Sequence, residues 1–305
     1  MGRTTSILVV LLLSLLATRA LAADADAPLK DDLGRDYFVY APPRIDPKKT
    51  YWLAVGVHGY GGDGRGAAGL SAWARRGDCV VVGPSFPNNG YQLLRERADE
   101  QLVSLFDRLK KQYPLHPKLF VYGFSGGAQF AHRFMMKHPE LVAGCSAHSA
   151  GSWATGEGWG DVNPAAAGIP FVMSCGEADT AKMADGAPFG RLEWAKAFER
   201  KAADAGLCFE ARYWPKVGHA FSPGVTAMTD ECYRLATVLA PAHEKQLAAI
   251  RELAKAGKPE AAKAALARAT KAVPKPAKGL GKAWAEKQAK DLAALAKEID
   301  ASLGP

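Results

Sequence analysis

Cysteine is scarce in this chain and poorly placed for metal. There are five among 305 residues (Cys79, Cys145, Cys175, Cys208 and Cys232), with no two at the short spacing of a zinc site. An odd count leaves at least one thiol free or paired between chains, with Cys208 and Cys232 as the candidate intrachain pair. Three of the five fall in or beside apolar runs, where cysteine serves as a small buried hydrophobe. A membrane-length apolar run is also lacking. The longest runs from Ile7 to Leu16, interrupted by Ser14, and is too short for a bilayer core of about 30 Å. Preceded by Arg3 and followed by Ala20-Leu21-Ala22, it predicts a secretory signal peptide over residues 1–22, cleaved after Ala22. The mature chain is then secreted or periplasmic; an uncleaved anchor is the alternative.

Excess charge is missing from the middle of the chain. The formal net charge is +8, but residues 241–305 hold 13 Lys and Arg against 7 Asp and Glu, and Arg3 and Arg19 supply the remaining excess. The neutral stretch between argues against a nucleic-acid-binding body. A composition of 48% hydrophobic and 23% charged residues, with 31 Gly and 19 Pro, excludes a disordered, collagen-like or coiled-coil chain.

What is present is an alternation of short strand-like and helical patterns. Strands are expected at 37–40, 51–57, 79–82, 119–122, 141–146, 171–173 and 209–214, and helices at 92–111, 127–137, 188–204 and 225–238. Leu119-Phe120-Val121-Tyr122 is apolar throughout, as a strand buried on both faces must be. The alternation implies right-handed βαβ crossovers and an α/β fold with a doubly wound, mostly parallel sheet flanked by helices. From residue 241 the composition shifts: Ala and Lys make up 31 of 65 residues, and Trp284 is the sole aromatic. Three helices are expected there, broken at Gly257-Lys258-Pro259 and at Val273-Pro274-Lys275-Pro276. The division is therefore a leader at 1–22, an α/β domain at 23–240 and an Ala/Lys-rich helical extension at 241–305. So little large apolar surface cannot sustain the extension alone; it is expected to pack on the body or stay partly mobile.

Gly123-Phe124-Ser125-Gly126-Gly127 lies directly between a buried strand and a helix. That is the setting of a serine held on a sharp strand-to-helix turn, its backbone strained and its flanks free of side chains. A hydrolytic serine needs a base and an acid, each just past a later strand. Gly218-His219 follows strand 209–214 and supplies the base. Asp179 follows strand 171–173 in a Gly176 turn and supplies the acid, with Glu177 as the runner-up. The order Ser125, Asp179, His219 separates this arrangement from two other serine-protease orders. A developing oxyanion needs two backbone donors: Gly126 N–H, and Tyr60 N–H in the loop His58-Gly59-Tyr60-Gly61-Gly62 after strand 51–57.

Taken together, His-Gly-Tyr-Gly-Gly at 58–62, Gly-Phe-Ser-Gly-Gly at 123–127, Gly-Glu-Ala-Asp at 176–179 and Gly-His at 218–219 resemble the α/β-hydrolase superfamily. Within it, Phe124 to Ala128, His138-Pro139-Glu140-Leu141 and Ser149-Ala150-Gly151 are similar to secreted esterases of the polyhydroxybutyrate-depolymerase and feruloyl-esterase type. The resemblance covers roughly residues 36–238. It departs from that branch at Tyr60 and Phe124, where a cysteine often stands. It implies the α/β-hydrolase fold, a cofactor-free serine esterase and a small-molecule or polymer ester as substrate.

Other features have two readings each. Trp153, Trp159 and Phe221 either bound an acyl or aryl pocket or are ordinary packing. His58 is expected to hold the oxyanion loop, and His132 and His138 to be structural, while His148 is placed to approach the site. No histidine pair has zinc spacing, so neither metal nor cofactor is expected. The basic extension is either a solvated face or a contact with an acidic cell-envelope surface. Against the esterase stand a peptidase of the prolyl-oligopeptidase type, for which no gating segment is seen ahead of the catalytic region, and a non-catalytic binding protein on the same scaffold.

Overall fold

A computed structural model describes residues 27–302, apart from residues 89, 184–186 and 277. The signal-peptide expectation for 1–22 lies outside the described residues. Eight strands form one sheet in the order β1-β2-β4-β3-β5-β6-β7-β8. They are β1 (Leu29–Lys30), β2 (Asp36–Tyr40), β3 (Tyr51–Val57), β4 (Cys79–Pro84), β5 (Leu115–Phe124), β6 (Val142–His148), β7 (Phe171–Gly176) and β8 (Phe209–Trp214). β1 pairs antiparallel with β2, and β2 antiparallel with β4; β3 to β8 and β4 are parallel. The two-residue edge strand β1 is too short to leave a periodic signature in the sequence.

The period-two alternation of the strands divides the core into two layers. Leu53, Val55, Val57, Val80, Val82, Leu119 and Val121 enter one cluster with Leu102, Leu105, Phe130, Phe134, Trp194 and Phe198. Those partners lie on helices α1 (Ala98–Gln112), α2 (Gly126–Lys137) and α3 (Arg191–Asp204). The intervening Ala54, Val81, Phe120 and Tyr122 enter the other cluster, with Trp73 and with Val225, Met228 and Tyr233 of α4 (Gly224–Arg234). Helices on both faces explain why these strands are apolar throughout.

Helix α1 starts at Ala98, later than the apolar spacing suggests. Tyr91–Leu93 forms a separate 3-10 turn, and Leu94, Glu96 and Arg97 take φ of 58°, 55° and 57°, which no α-helix continues. The turn sets Tyr91 under the loop after β3, where its hydroxyl donates to His58 O at 2.8 Å.

The five cysteines are free and buried. The anticipated Cys208–Cys232 bridge is absent: the Cys232 thiol donates instead to the carbonyls of Cys145 at 3.3 Å and Pro170 at 3.4 Å. Burial also pushes the Cys208 thiol up to about 12, so it stays protonated at neutral pH.

The Ala/Lys-rich segment forms α5 (Ala240–Lys255), α6 (Pro259–Lys271) and α7 (Gly279–Ser302). α4 runs into α5 through a π-helical turn at Leu235–Leu239, just ahead of Pro241, whose missing N–H disturbs the ladder there. Leu247, Ile250, Ala262, Leu292, Leu295 and Ile299 form a small cluster of their own. The start of α7 is tied to the sheet. Leu280 N–H donates to Glu210 Oε2 at 2.9 Å, and Leu280 and Trp284 are buried in the α4-side cluster. Among the described residues, no helix is long and apolar enough to cross a membrane.

Candidate active site

Parallel strands deliver their following loops to one edge of the sheet, and the residues singled out in the sequence meet there. Ser125 follows β5 and opens α2. Its φ of 56° and ψ of −119° lie outside the regions an L-residue prefers, a strain of about 1–3 kcal/mol. The flanking glycines make this turn sterically feasible. A Cβ on Gly123 would stand 2.2 Å from Gly127 C, and one on Gly127 would stand 2.1 Å from Val57 O. The elbow is tied to its neighbour strand by Ser125 N–H donating to His148 O at 2.9 Å.

His219 Nε2 lies 2.9 Å from Ser125 Oγ, and His219 Nδ1 lies 2.8 Å from Asp179 Oδ2. A carboxylate only accepts, so Nδ1 carries the hydrogen and Nε2 is left to accept from the serine hydroxyl. Asp179 is 3% exposed, so its charge acts in a partly desolvated setting. Glu177, the alternative acid, is exposed and forms no part of this chain of hydrogen bonds. Asp179 has a second partner that the sequence did not reveal: Arg191 Nη1 is 3.3 Å from its other oxygen, Oδ1.

The loop after β3 also approaches the serine: a Cβ on Gly59 would stand 3.9 Å from Ser125 Cβ. A Cβ on Gly126 would stand 2.8 Å from Tyr60 N and 2.7 Å from the Tyr91 hydroxyl, so the start of α2 lies against the Tyr60 backbone and the Tyr91 side chain. Gly126 N–H belongs to the first turn of α2, which has no intrahelical acceptors for it. The Tyr60 backbone nitrogen therefore lies against Gly126, the residue that follows Ser125. His58 holds that loop in shape. Its Nε2 accepts from Phe86 N–H at 2.9 Å, which leaves Nδ1 to donate to Gly59 O at 2.7 Å. Burial, outweighing the Gly59 carbonyl and the Asp63 charge, lowers the His58 pKa and favours this neutral tautomer. Replacing Gly126 with Ala should push the two loops apart and lower kcat by about 100-fold or more while the chain still folds. Unchanged kcat in steady-state kinetics would remove Tyr60 N–H and Gly126 N–H from the reaction.

Phe221 is 52% exposed, with its ring 5.4 Å from that of Phe124, which in turn lies 5.4 Å from the His219 imidazole. Phe221 thus borders the site. Trp153 does not: it is 0% exposed, with its ring 5.0 Å from Phe198 and 4.7 Å from His132. Its packing within the sheet–helix layer overturns the reading of it as a pocket wall. Trp159 packs edge-on against Trp194. His148 contributes its carbonyl, not its ring. The ring is buried among Ser146, Ser174 and Thr229, and burial lowers its pKa to about 3. His132 is likewise buried and bonded to Ala128 O and Ala154 N–H. Among the described residues, no group of three His, Cys, Asp or Glu is arranged to hold a metal.

No protein-family model matches the chain, and no curated protein matches it. Solved structures do. A poly(aspartic acid) hydrolase of a Sphingomonas species is 20% identical over 66% of this chain and 93% of its own, with a TM-score of 0.50. A fluorophosphonate-binding serine hydrolase of Staphylococcus aureus is 12% identical over 69% of this chain and 97% of its own, with a TM-score of 0.52. A thermostable esterase is 21% identical over 62% of this chain, with a TM-score of 0.49, and this chain spans 54% of its length. At such identities the likeness is one of fold. With eight strands in this order and parallel pairing from β4 to β8, the chain has the fold of the α/β-hydrolase superfamily.

Proposed function

We propose that the chain is a secreted serine hydrolase of carboxylic esters. The observation behind this reading is the unbroken run Ser125 Oγ–His219–Asp179, with spacings of 2.9 and 2.8 Å. Ser125 Oγ attacks the acyl carbon as its proton passes to His219 Nε2. Asp179 holds the imidazole and balances its positive charge. The N–H groups of Tyr60 and Gly126 receive the oxyanion, and His219 returns the proton to the departing alcohol. A water molecule, deprotonated by the same nitrogen, then releases the acid.

The exposed Phe221 ring, 52% accessible and near Phe124 beside His219, suits an apolar acyl or alcohol group reached from open solvent. That openness fits a small or polymeric ester outside the cell, and the cationic extension suits an acidic envelope surface. The test is a panel of p-nitrophenyl esters of increasing chain length beside matched amides, with fluorophosphonate labelling. Turnover of esters well ahead of amides, with one label per chain, is the expected result. Faster amide cleavage would favour the peptidase, and absence of labelling would favour a non-catalytic binding protein.

A further inference from the structure

Arg191 stands where helix physics disfavours a cation. It is the first residue of α3, after Gly190 at the cap, and the partial positive charge of a helix N-terminus repels a guanidinium. The cap itself is supplied otherwise, by Glu193 Oε2 accepting from Gly190 N–H at 3.1 Å. Nor does Arg191 bridge to a distant element. Among the described residues its guanidinium hydrogen-bonds to Asp179 alone, and its Nε is buried without a partner. The backbone nevertheless holds it in place. Arg191 N–H donates to Ala181 O at 3.1 Å, Leu192 N–H donates to Asp179 O at 2.9 Å, and a Cβ on Gly190 would stand 2.1 Å from Thr180 O. A residue that breaks a local rule and is tethered beside the acid calls for a role at the site.

We propose that Arg191 is a positioning residue that fixes the Asp179 carboxylate and offsets part of the charge it presents to His219. This rests on the reading of Ser125, His219 and Asp179 as a catalytic triad. With Oδ1 held by Arg191 and Oδ2 facing Nδ1, the carboxylate cannot rotate freely, and the imidazole is aimed at Ser125. The side chains are 20% and 2% exposed, so the cation acts through a medium well below the dielectric of water. The sign follows directly. Asp179 favours the imidazolium and Arg191 opposes it, so removing Arg191 makes His219 easier to protonate. The other groups facing the pair do not reverse this. Cys175, at the end of β7, is pushed up to about 12, by burial first and by Asp179 second, and is uncharged at neutral pH. Lys196, further along α3, is a cation that acts on the same thiol. Phe124, the ring against His219, carries no charge.

The experiment compares Arg191→Gln, Arg191→Met and Arg191→Lys in the full chain. Each is followed by the pH dependence of kcat/KM on a short p-nitrophenyl ester and by NMR titration of the His219 ring. Gln and Met should move the acid limb and the His219 titration to higher pH by about one unit, and Lys should leave both close to wild type. Below that limb, the first two then lose roughly tenfold in kcat/KM relative to wild type. An unmoved limb and titration in both charge-removing variants would overturn the proposal. So would loss of a cooperative thermal transition in both, which would assign Arg191 to stability. If wild type turns over no ester yet its His219 titration shifts with the charge at 191, the esterase reading fails and the tuning role stands.

Discussion

Ser125→Ala should lower turnover of short esters by about four to six orders of magnitude while the thermal transition stays within a few degrees of wild type. The expected loss is large because, in the proposed reaction, the hydroxyl is the group that bonds to carbon. Without it the imidazole has nothing to activate except water, and only the donors at 60 and 126 remain. The stability change is small because Oγ makes one partly exposed hydrogen bond, at 2.9 Å to His219. A companion variant separates chemistry from strain. Ser125→Gly is equally inactive but free of the penalty for φ 56° and ψ −119°, so it should melt above Ser125→Ala by the equivalent of about 1 kcal/mol. Measured kcat near wild type in either variant would place the nucleophile elsewhere. Equal melting temperatures would mean that the elbow relaxes around alanine.

Gly127→Ala, two positions on, should destroy activity by a different route, destabilising the chain by about 3 kcal/mol. Its Cβ would stand 2.1 Å from Val57 O and 2.9 Å from His58 O, both backbone atoms of the neighbouring strand and its loop. No side chain can swing away to admit it. Either α2 must lift from the sheet or the end of β3 must shift, and each disturbs the Ser125 elbow. Calorimetry should show a transition lowered by roughly 6–12 °C, with turnover falling in parallel. The contrast with Gly126→Ala is informative, since there the added methyl meets Tyr60 N and the Tyr91 hydroxyl at the site. A Gly127→Ala protein as stable as wild type would mean that α2 is not seated against β3 as closely as these distances require.

Much of this was open to view in the residue order because the chemistry is punctuated. Glycines at 123, 126 and 127 mark a turn that tolerates no side chains, and an apolar run before it marks a buried strand. The later Asp179 and His219 each follow a strand, so parallel pairing alone carries them to one edge of the sheet. Other elements were not legible, for identifiable reasons. Apolar spacing at Leu94 and Ala98 reads as one helix, but positive φ at 94, 96 and 97 is a backbone property that periodicity does not report. Trp153, in a glycine-rich loop after β6, looks like a pocket wall until packing shows its ring enclosed by Phe198 and His132. The pairing of Cys208 with Cys232 was open in the sequence because spacing along the chain says nothing of sulfur orientation; the Cys232 thiol points at the Cys145 and Pro170 carbonyls.

Alternation of strand and helix, a tight serine turn and the order of three polar residues belong to the sequence itself, since each depends on near neighbours along the chain. The second partner of Asp179, the burial of Trp153 and the free thiols were decided only by tertiary structure. Each depends on atoms brought together from distant segments, where distance and orientation, rather than residue type, determine what a group can do.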